Sequence, residues 1–212
     1  MNCQHSSFYQ RPTEVVARDL VGKKLVRIIG KNRMLLRLAG IIVETEAYGY
    51  SDDPASHAYN GATSRNKAMF GDVGRAYIYF TYGNHFCLNI SARTTNVDAG
   101  AVLIRGIEPV EGIELMRQLR PVDDVLSLTS GPGKLTQALG IEMHQDGHDL
   151  TREPLTIRWG EAPDGEIVST TRIGISRGTE LPYRYLILED TNVSVPPKTI
   201  TGRGLERTEL TS

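Results

Sequence analysis

The stretch KLVRIIGKNRMLLRLAGIIVETEAY, residues 24–48, carries the first decision about the fold. KLVRII and MLLRLAGIIVETEAY are rich in β-branched and aliphatic residues and are separated by the polar turn GKNR, which predicts a β-hairpin. The second strand runs directly into ETEAY, so Glu44, Glu46 and Tyr48 alternate and share one strand face. Two carboxylates and a phenol are too polar for an ordinary core face. That face is either wet or lines a cleft.

Working outward, PTEVVARDLV (12–21) opens with a proline suited to a first helical turn and stops before Gly22, which predicts a short helix. From Gly49 to Gly74 the chain is rich in Gly, Ser, Asp and Asn, with one helical turn expected at SRNKAMF. A loop of that length inside a compact domain is functional or disordered. AYIYFTYGNHFCLNIS (76–91) reads as two β-like runs around Tyr82, Gly83 and Asn84, and GAVLIRGIEPV (100–110) as a further strand. EGIELMRQL and GPGKLTQAL are helical, the latter with Ser130 as cap and Gly140 past its end. PLTIRW, IVSTTRIGIS and YRYLILE supply more strands. The expected class is α+β: a single domain over residues 1–195 with a curved, mainly antiparallel β-sheet core, flanking helices and a protruding β-hairpin. Residues 196–212, with Pro196 and Pro197 followed by a polar, charged run, read as a flexible tail dispensable for activity.

The chain has 212 residues, ordinary apolar and charged fractions, and a formal net charge of −1. Such a composition excludes wholesale disorder and a fibrous rod. Near-neutrality counts against a simple nucleic-acid binder, although Arg11, Arg18, Lys23, Lys24, Arg27, Lys31, Arg33 and Arg37 face only Glu14 and Asp19 between residues 11 and 37. The two cysteines, Cys3 and Cys87, follow no metal or redox spacing, which fits a reduced, cytoplasmic setting. No stretch approaches the roughly 20 apolar residues of a membrane span, and no secretion signal is read at the N-terminus.

Several residues could carry chemistry. His57 lies in the loop DDPASHAYNG; a lone loop histidine is more often a surface residue or local hydrogen-bond partner than a catalytic one, and its interest comes from sharing a neighbourhood with Glu46. Tyr77 and Tyr79 share one side of a strand. Cross-strand packing accounts for Tyr77, Phe80 and Phe86, but not for Tyr82 at the hairpin tip, where a rigid aromatic suits a wedge that enters something stacked. SGPGK lacks the full phosphate-loop spacing, yet Ser130 and Lys134 could hold a single phosphate. No catalytic triad or zinc-ligand spacing is found, so the expected mechanism uses neither metal nor cofactor.

These motifs together resemble a known family. IIVETEAYGYSDDPASHAYNGATSRNKAMF, GRAYIYFTYGNHFCLNIS, AGAVLIRGIEPVEG and SGPGKLTQAL occur in the order seen in the alkyladenine (3-methyladenine) DNA glycosylase family, and the resemblance spans roughly residues 8–195. It implies a monofunctional enzyme of base excision repair, monomeric and acting on double-stranded DNA. Such an enzyme flips damaged purines, among them 3-methyladenine and hypoxanthine, out of the duplex and hydrolyses the N-glycosidic bond. By the family pattern Glu46 activates the water and Arg105 helps hold it. Tyr48, His57 and Tyr79 sandwich the base, Asn89 lines the pocket floor, and Tyr82 fills the gap left in the duplex. Arg65, Ser130 and Lys134 are expected at the DNA backbone. Asn84 and His85 depart from the bulkier apolar residues of the pattern, and LEDTN from its more basic close, so a modest, salt-sensitive DNA affinity is expected. Two other classes stay open: a non-catalytic binder of damaged or bent DNA, and an enzyme acting on free nucleosides, for which Tyr82 would have no purpose.

Overall fold

A computed structural model describes residues 5–31, 34–81, 85–160 and 162–197. The chain starts with a helical turn α1 (Ser6–Tyr9) and the helix α2 (Thr13–Leu20), which buries Val16, Ala17 and Leu20. The expected hairpin follows as β1 (Lys24–Lys31) and β2 (Met34–Tyr48), antiparallel from Lys24↔Ile41 to Lys31↔Met34. After the long loop come a turn α3 (Lys67–Phe70), then β3 (Ala76–Thr81), β4 (His85–Ser91) and β5 (Ala101–Glu111). The remainder holds α4 (Ile113–Leu119), α5 (Leu126–Thr129), α6 (Pro132–Ala138), β6 (Leu155–Arg158), β7 (Ile167–Thr170) and β8 (Arg184–Ile187).

The eight strands among the described residues join one curved antiparallel sheet. Its main path is β3-β4-β5-β2-β1-β6. β2 is the axis of this arrangement because it is long enough to change neighbours. On one edge it pairs with β5 along most of its length; on the other, its first part pairs with β1 and Glu44–Glu46 pair with β8. Register shifts near Ile42 and Glu44 mark irregular pairing where that exchange occurs, and irregularities of this kind bend a strand and re-aim its side chains. Helices α2 and α6 pack on the sheet, α2 against β2 and β5 and α6 against β4 and β5. The core between them gathers Leu20, Leu38, Ile42, Ile78, Leu88, Ile90, Ile104 and Leu135. The result is an α+β single domain, as the strand and helix patterns predict.

Three expectations need correction. Ser130 does not cap α6: the N-cap is Gly131, which makes no side-chain capping bond. A short helix, α5 (Leu126–Thr129), lies directly before it in the chain. IVSTTRIGIS is a strand only through Thr170, because Gly174 and Gly178 both adopt positive φ and turn the chain back toward the cavity described below. The face carrying Glu44 and Glu46 is not wet; both side chains are wholly buried. Of the basic residues between 11 and 37, Arg11 pairs with Asp19 at 2.8 Å and Arg27 is buried. Cys3, Tyr82, Gly83, Asn84 and residues 198–212 lie outside the described residues, and with them the wedge and most of the tail.

Candidate active site

The floor of the site is written on two neighbouring strands. β2 carries Glu44 and Glu46, and β5 carries Arg105, whose guanidinium reaches both. Arg105 Nη1 donates to Glu46 Oε2 at 3.1 Å and Nε donates to Glu44 Oε1 at 3.1 Å. Arg184 on β8 donates a second guanidinium bond to Glu44 Oε1 at 2.6 Å. Two carboxylates thus meet two guanidiniums and the formal charges cancel, which is what buried ions require. Burial works against the charge on Arg105. The Glu46 and Glu44 carboxylates outweigh it and hold the guanidinium charged, above its ordinary pKa.

Glu46 is held at every corner. Besides Arg105, the Tyr48 hydroxyl donates to Oε2 at 2.8 Å and the backbone N–H of Ile173 donates to Oε1 at 2.7 Å. Burial, followed by the adjacent Glu46 charge, pushes the Tyr48 phenol well above its ordinary pKa, so its hydroxyl stays a donor. The Ile173 N–H is available because the chain turns away from strand geometry after Thr170.

Above this floor opens a cavity of about 820 Å³, lined by Tyr48, His57, Tyr77, Tyr79, Asn89 and Arg105 among others. That volume falls within the roughly 300–1,000 Å³ of small-molecule sites. One wall is aromatic. The rings of His57 and Tyr79 meet edge to face at 4.7 Å, Tyr77 and Tyr79 lie 5.6 Å apart, and His57 Nδ1 shares a 2.9 Å hydrogen bond with the Tyr77 hydroxyl. Tyr48 lines the same cavity, but its ring is engaged by the Arg172 guanidinium at 4.7 Å. Burial drives the Tyr77 hydroxyl up to about 12 and the Tyr79 hydroxyl higher still. Both remain neutral at any working pH. Desolvation and then the positive Arg65 lower the pKa of His57, favouring its uncharged form.

The loop that delivers His57 is tied down by two buried polar residues. Asp53 accepts from the Gly49 and Ala55 backbone and forms a bidentate pair with Arg172, at 2.6 and 2.7 Å. Arg172 is wholly buried at its side chain, and its Nη1 also donates to the Ala47 carbonyl. A Cβ on Gly178 would come within 3.2 Å of Arg172 Nη2, at a backbone φ of +56° that already disfavours a side chain. Asn66 donates to the carbonyls of His57 and Gly61 and accepts from Thr63, closing the other end of the loop.

The structure therefore brings Glu46, Arg105, Tyr48, His57, Tyr79 and Asn89 to one cavity and its floor. Asn89 is buried, with its amide donating to the Tyr77 carbonyl at 3.1 Å. Arg65 does not extend freely: it bonds the Phe80 carbonyl at 3.0 Å and sits 5.7 Å over the Tyr79 ring. Lys134 Nζ reaches Ser130 Oγ at 3.4 Å, close to the cavity wall formed by Pro132 and Gly133. Phe80 and Phe86 form the expected cross-strand pair, at 5.2 Å. Tyr77, expected as packing, is also a cavity residue, and His85 lines the mouth. Sequence reading missed Asp53, Arg172 and the Ile173 N–H. The glycines of RIGISRG were the available signal that this segment is a turn. Among the described residues, no group of His, Cys, Asp and Glu is arranged to hold a metal ion, and no helix is long and apolar enough to cross a membrane.

A buried carboxylate under an aromatic-walled cavity is suited to hydrolytic chemistry, and comparison with known proteins identifies the family. The family model for methylpurine-DNA glycosylase matches residues 7–191. A Rubrobacter xylanophilus protein named "Putative 3-methyladenine DNA glycosylase" is 53% identical over 170 residues, 80% of this chain and 87% of its own length. Proteins of the same name from Methanoculleus marisnigri and Chlorobaculum parvum are 47% and 43% identical, covering 86% and 95% of this chain and 93% and 97% of theirs. The chain belongs to the methylpurine-DNA glycosylase family. It is a DNA glycosylase, a hydrolase of N-glycosyl bonds.

Proposed function

We propose that this protein is a monofunctional glycosylase of base excision repair that removes 3-methyladenine, hypoxanthine and other alkylated purines from duplex DNA. The nucleotide is flipped into the cavity, and a water activated by Glu46 attacks the anomeric carbon. The observation that supports the reading is that the buried Glu46 carboxylate is bonded by Arg105, Tyr48 and the Ile173 N–H, three residues that line the cavity. A reacting sugar gains positive character, and a fixed carboxylate both takes the water's proton and stabilises that charge. For the water to enter, one donor to Glu46 gives way. The neutral Tyr48 hydroxyl is the donor exchanged, since the Arg105 bond is charge-assisted and the Ile173 N–H is fixed in the backbone.

The aromatic wall suits electron-poor, cationic purines, which gain stacking and cation–π attraction of about 1 kcal/mol or more when desolvated. A neutral His57 supports the same preference. Asn89 at the floor contributes to refusing the exocyclic amino group of guanine. Tyr82 is assigned as the residue that fills the vacated stack, and Arg65, Ser130 and Lys134 as groups near the DNA backbone. The domain extends through Val195, residues 196–212 are not required for turnover, and the enzyme works as a cytoplasmic monomer.

Single-turnover release of methylated bases from alkylated duplex DNA tests this reading. Wild type releases base, while Glu46→Gln binds the duplex and releases none. Undiminished release by that variant, or no release by wild type despite tight binding, returns the protein to the class of damage-binding modules.

A further inference from the structure

The edge of Arg105 that faces away from Glu46 is held as fully as the edge that faces it. Nε and Nη2 both donate to Ser194 Oγ, at 3.3 and 3.2 Å, while Nε also reaches Glu44. Ser194 is itself locked to Glu44: its backbone N–H donates to Oε2 at 2.6 Å and its hydroxyl to Oε1 at 2.9 Å. Arg184 bonds Glu44 and then the Val195 carbonyl. The segment 192–195 lies directly on β5, where a Cβ on Gly106 would stand 2.8 Å from the Asn192 carbonyl. Ser194 falls beyond the residues matched by the family model, which end at 191.

A guanidinium is a rigid plane, so fixing its Nε and Nη2 edge fixes the direction of Nη1. Here Nη1 is the group that holds Glu46. Both glutamates are wholly buried, but Glu46 bonds the cavity-lining residues Tyr48 and Ile173 as well as Arg105, whereas Glu44 is engaged by Arg105, Arg184 and Ser194 and so stands one step further from the cavity. We infer that Glu44 and Ser194 are positioning residues that aim Arg105 at Glu46, and that the segment through Val195 supports the active centre. The inference rests on the reading of Glu46 as the base that activates water.

The test is single-turnover base release from methylated duplex DNA, with duplex affinity and thermal midpoint measured alongside. Ser194→Ala lowers the single-turnover rate constant about tenfold while changing duplex affinity less than about twofold, the pattern of a misplaced catalytic group. Ser194→Thr, which keeps the hydroxyl, restores the rate to within about threefold of wild type. Glu44→Gln lowers the rate about 100-fold if it folds; if it does not fold, the Ser194 pair decides alone. A chain ending at Val195 stays active, whereas one ending at Asn192 behaves as Ser194→Ala or worse.

A wild-type rate in Ser194→Ala overturns the inference. So does equal loss in Ser194→Ala and Ser194→Thr, or a loss of rate matched by a thermal midpoint below the assay temperature. These outcomes are separable from failure of the underlying reading. An active wild type with an inactive Glu46→Gln and an unaffected Ser194→Ala removes only the positioning role.

Discussion

The floor and the wall of the cavity hold their polar groups in different ways. Glu44, Glu46 and Arg105 sit on β2 and β5, two central strands paired along most of their length, and each is bonded to several partners. His57 sits on a loop whose tertiary anchorage runs through the Asp53–Arg172 pair and Asn66. The contrast teaches a division of labour. The charged floor stands on paired strands, as do Tyr77 and Tyr79 of the wall, whereas His57 stands on a loop that one buried ion pair holds in place. Arg172 links the two, since it pairs with the loop, faces the Tyr48 ring and precedes the Ile173 N–H that binds Glu46.

Removing chemistry from the floor gives the largest effect. Glu46→Gln lowers the single-turnover rate by about 10²–10⁴-fold, the range for a positioned base, with duplex affinity retained; parallel loss of affinity would mean that the floor holds the fold rather than the reaction. Next comes the tie of the wall. Arg172→Met leaves Asp53 buried without its partner and costs about 3–5 kcal/mol in a denaturant titration. It also lowers base release by freeing Tyr48 and the loop. If stability falls but release per folded molecule is unchanged, wall and floor are independent.

A smaller effect separates the wall by pH. The folded-state pKa of His57 lies below its ordinary value of 6.5, for burial and the Arg65 charge both oppose protonation. Folding therefore binds fewer protons there, so the contribution of His57 to stability is complete above about pH 6.5 and is lost as pH falls through the lowered folded value. Affinity for cationic alkylpurines declines over the same window, as the imidazole becomes positive. Thermal midpoints and duplex affinities from pH 7.5 to 5.5, compared with His57→Asn, check both; a variant with the same pH dependence as wild type removes His57 as the cause. The smallest effect is expected far from either region. Arg117 and Glu114 pair at 3.0 Å on the exposed face of α4, and Arg117→Ala shifts stability by about 0.5 kcal/mol or less.

Much of this molecule is legible from local pattern. The hairpin of β1 and β2, the runs that become β3, β4 and β5, and the helices α2, α4 and α6 follow from β-branched content, apolar spacing and Gly or Pro punctuation. Ordered motifs also singled out Glu46, Tyr48, His57, Tyr79, Asn89 and Arg105, and the fold carries them to one cavity. Alternation in ETEAY put Glu44 and Glu46 on one face, because strand geometry depends only on neighbours along the chain.

What alternation could not decide was whether that face is wet. Two carboxylates become buried only where cations from elsewhere neutralise them, and those cations are Arg105 and Arg184, 59 and 140 positions away in the relevant pairs. The turn at Ile173, the Asp53–Arg172 tie and the return of Ser194 to Glu44 are equally remote, at separations of 119 to 150 residues. Sequence by itself determined the elements, the family and the chemical groups of the site. Only the tertiary structure decided which of those groups are buried together, because the free energy of a buried charge is set by its spatial partners and not by its neighbours along the chain.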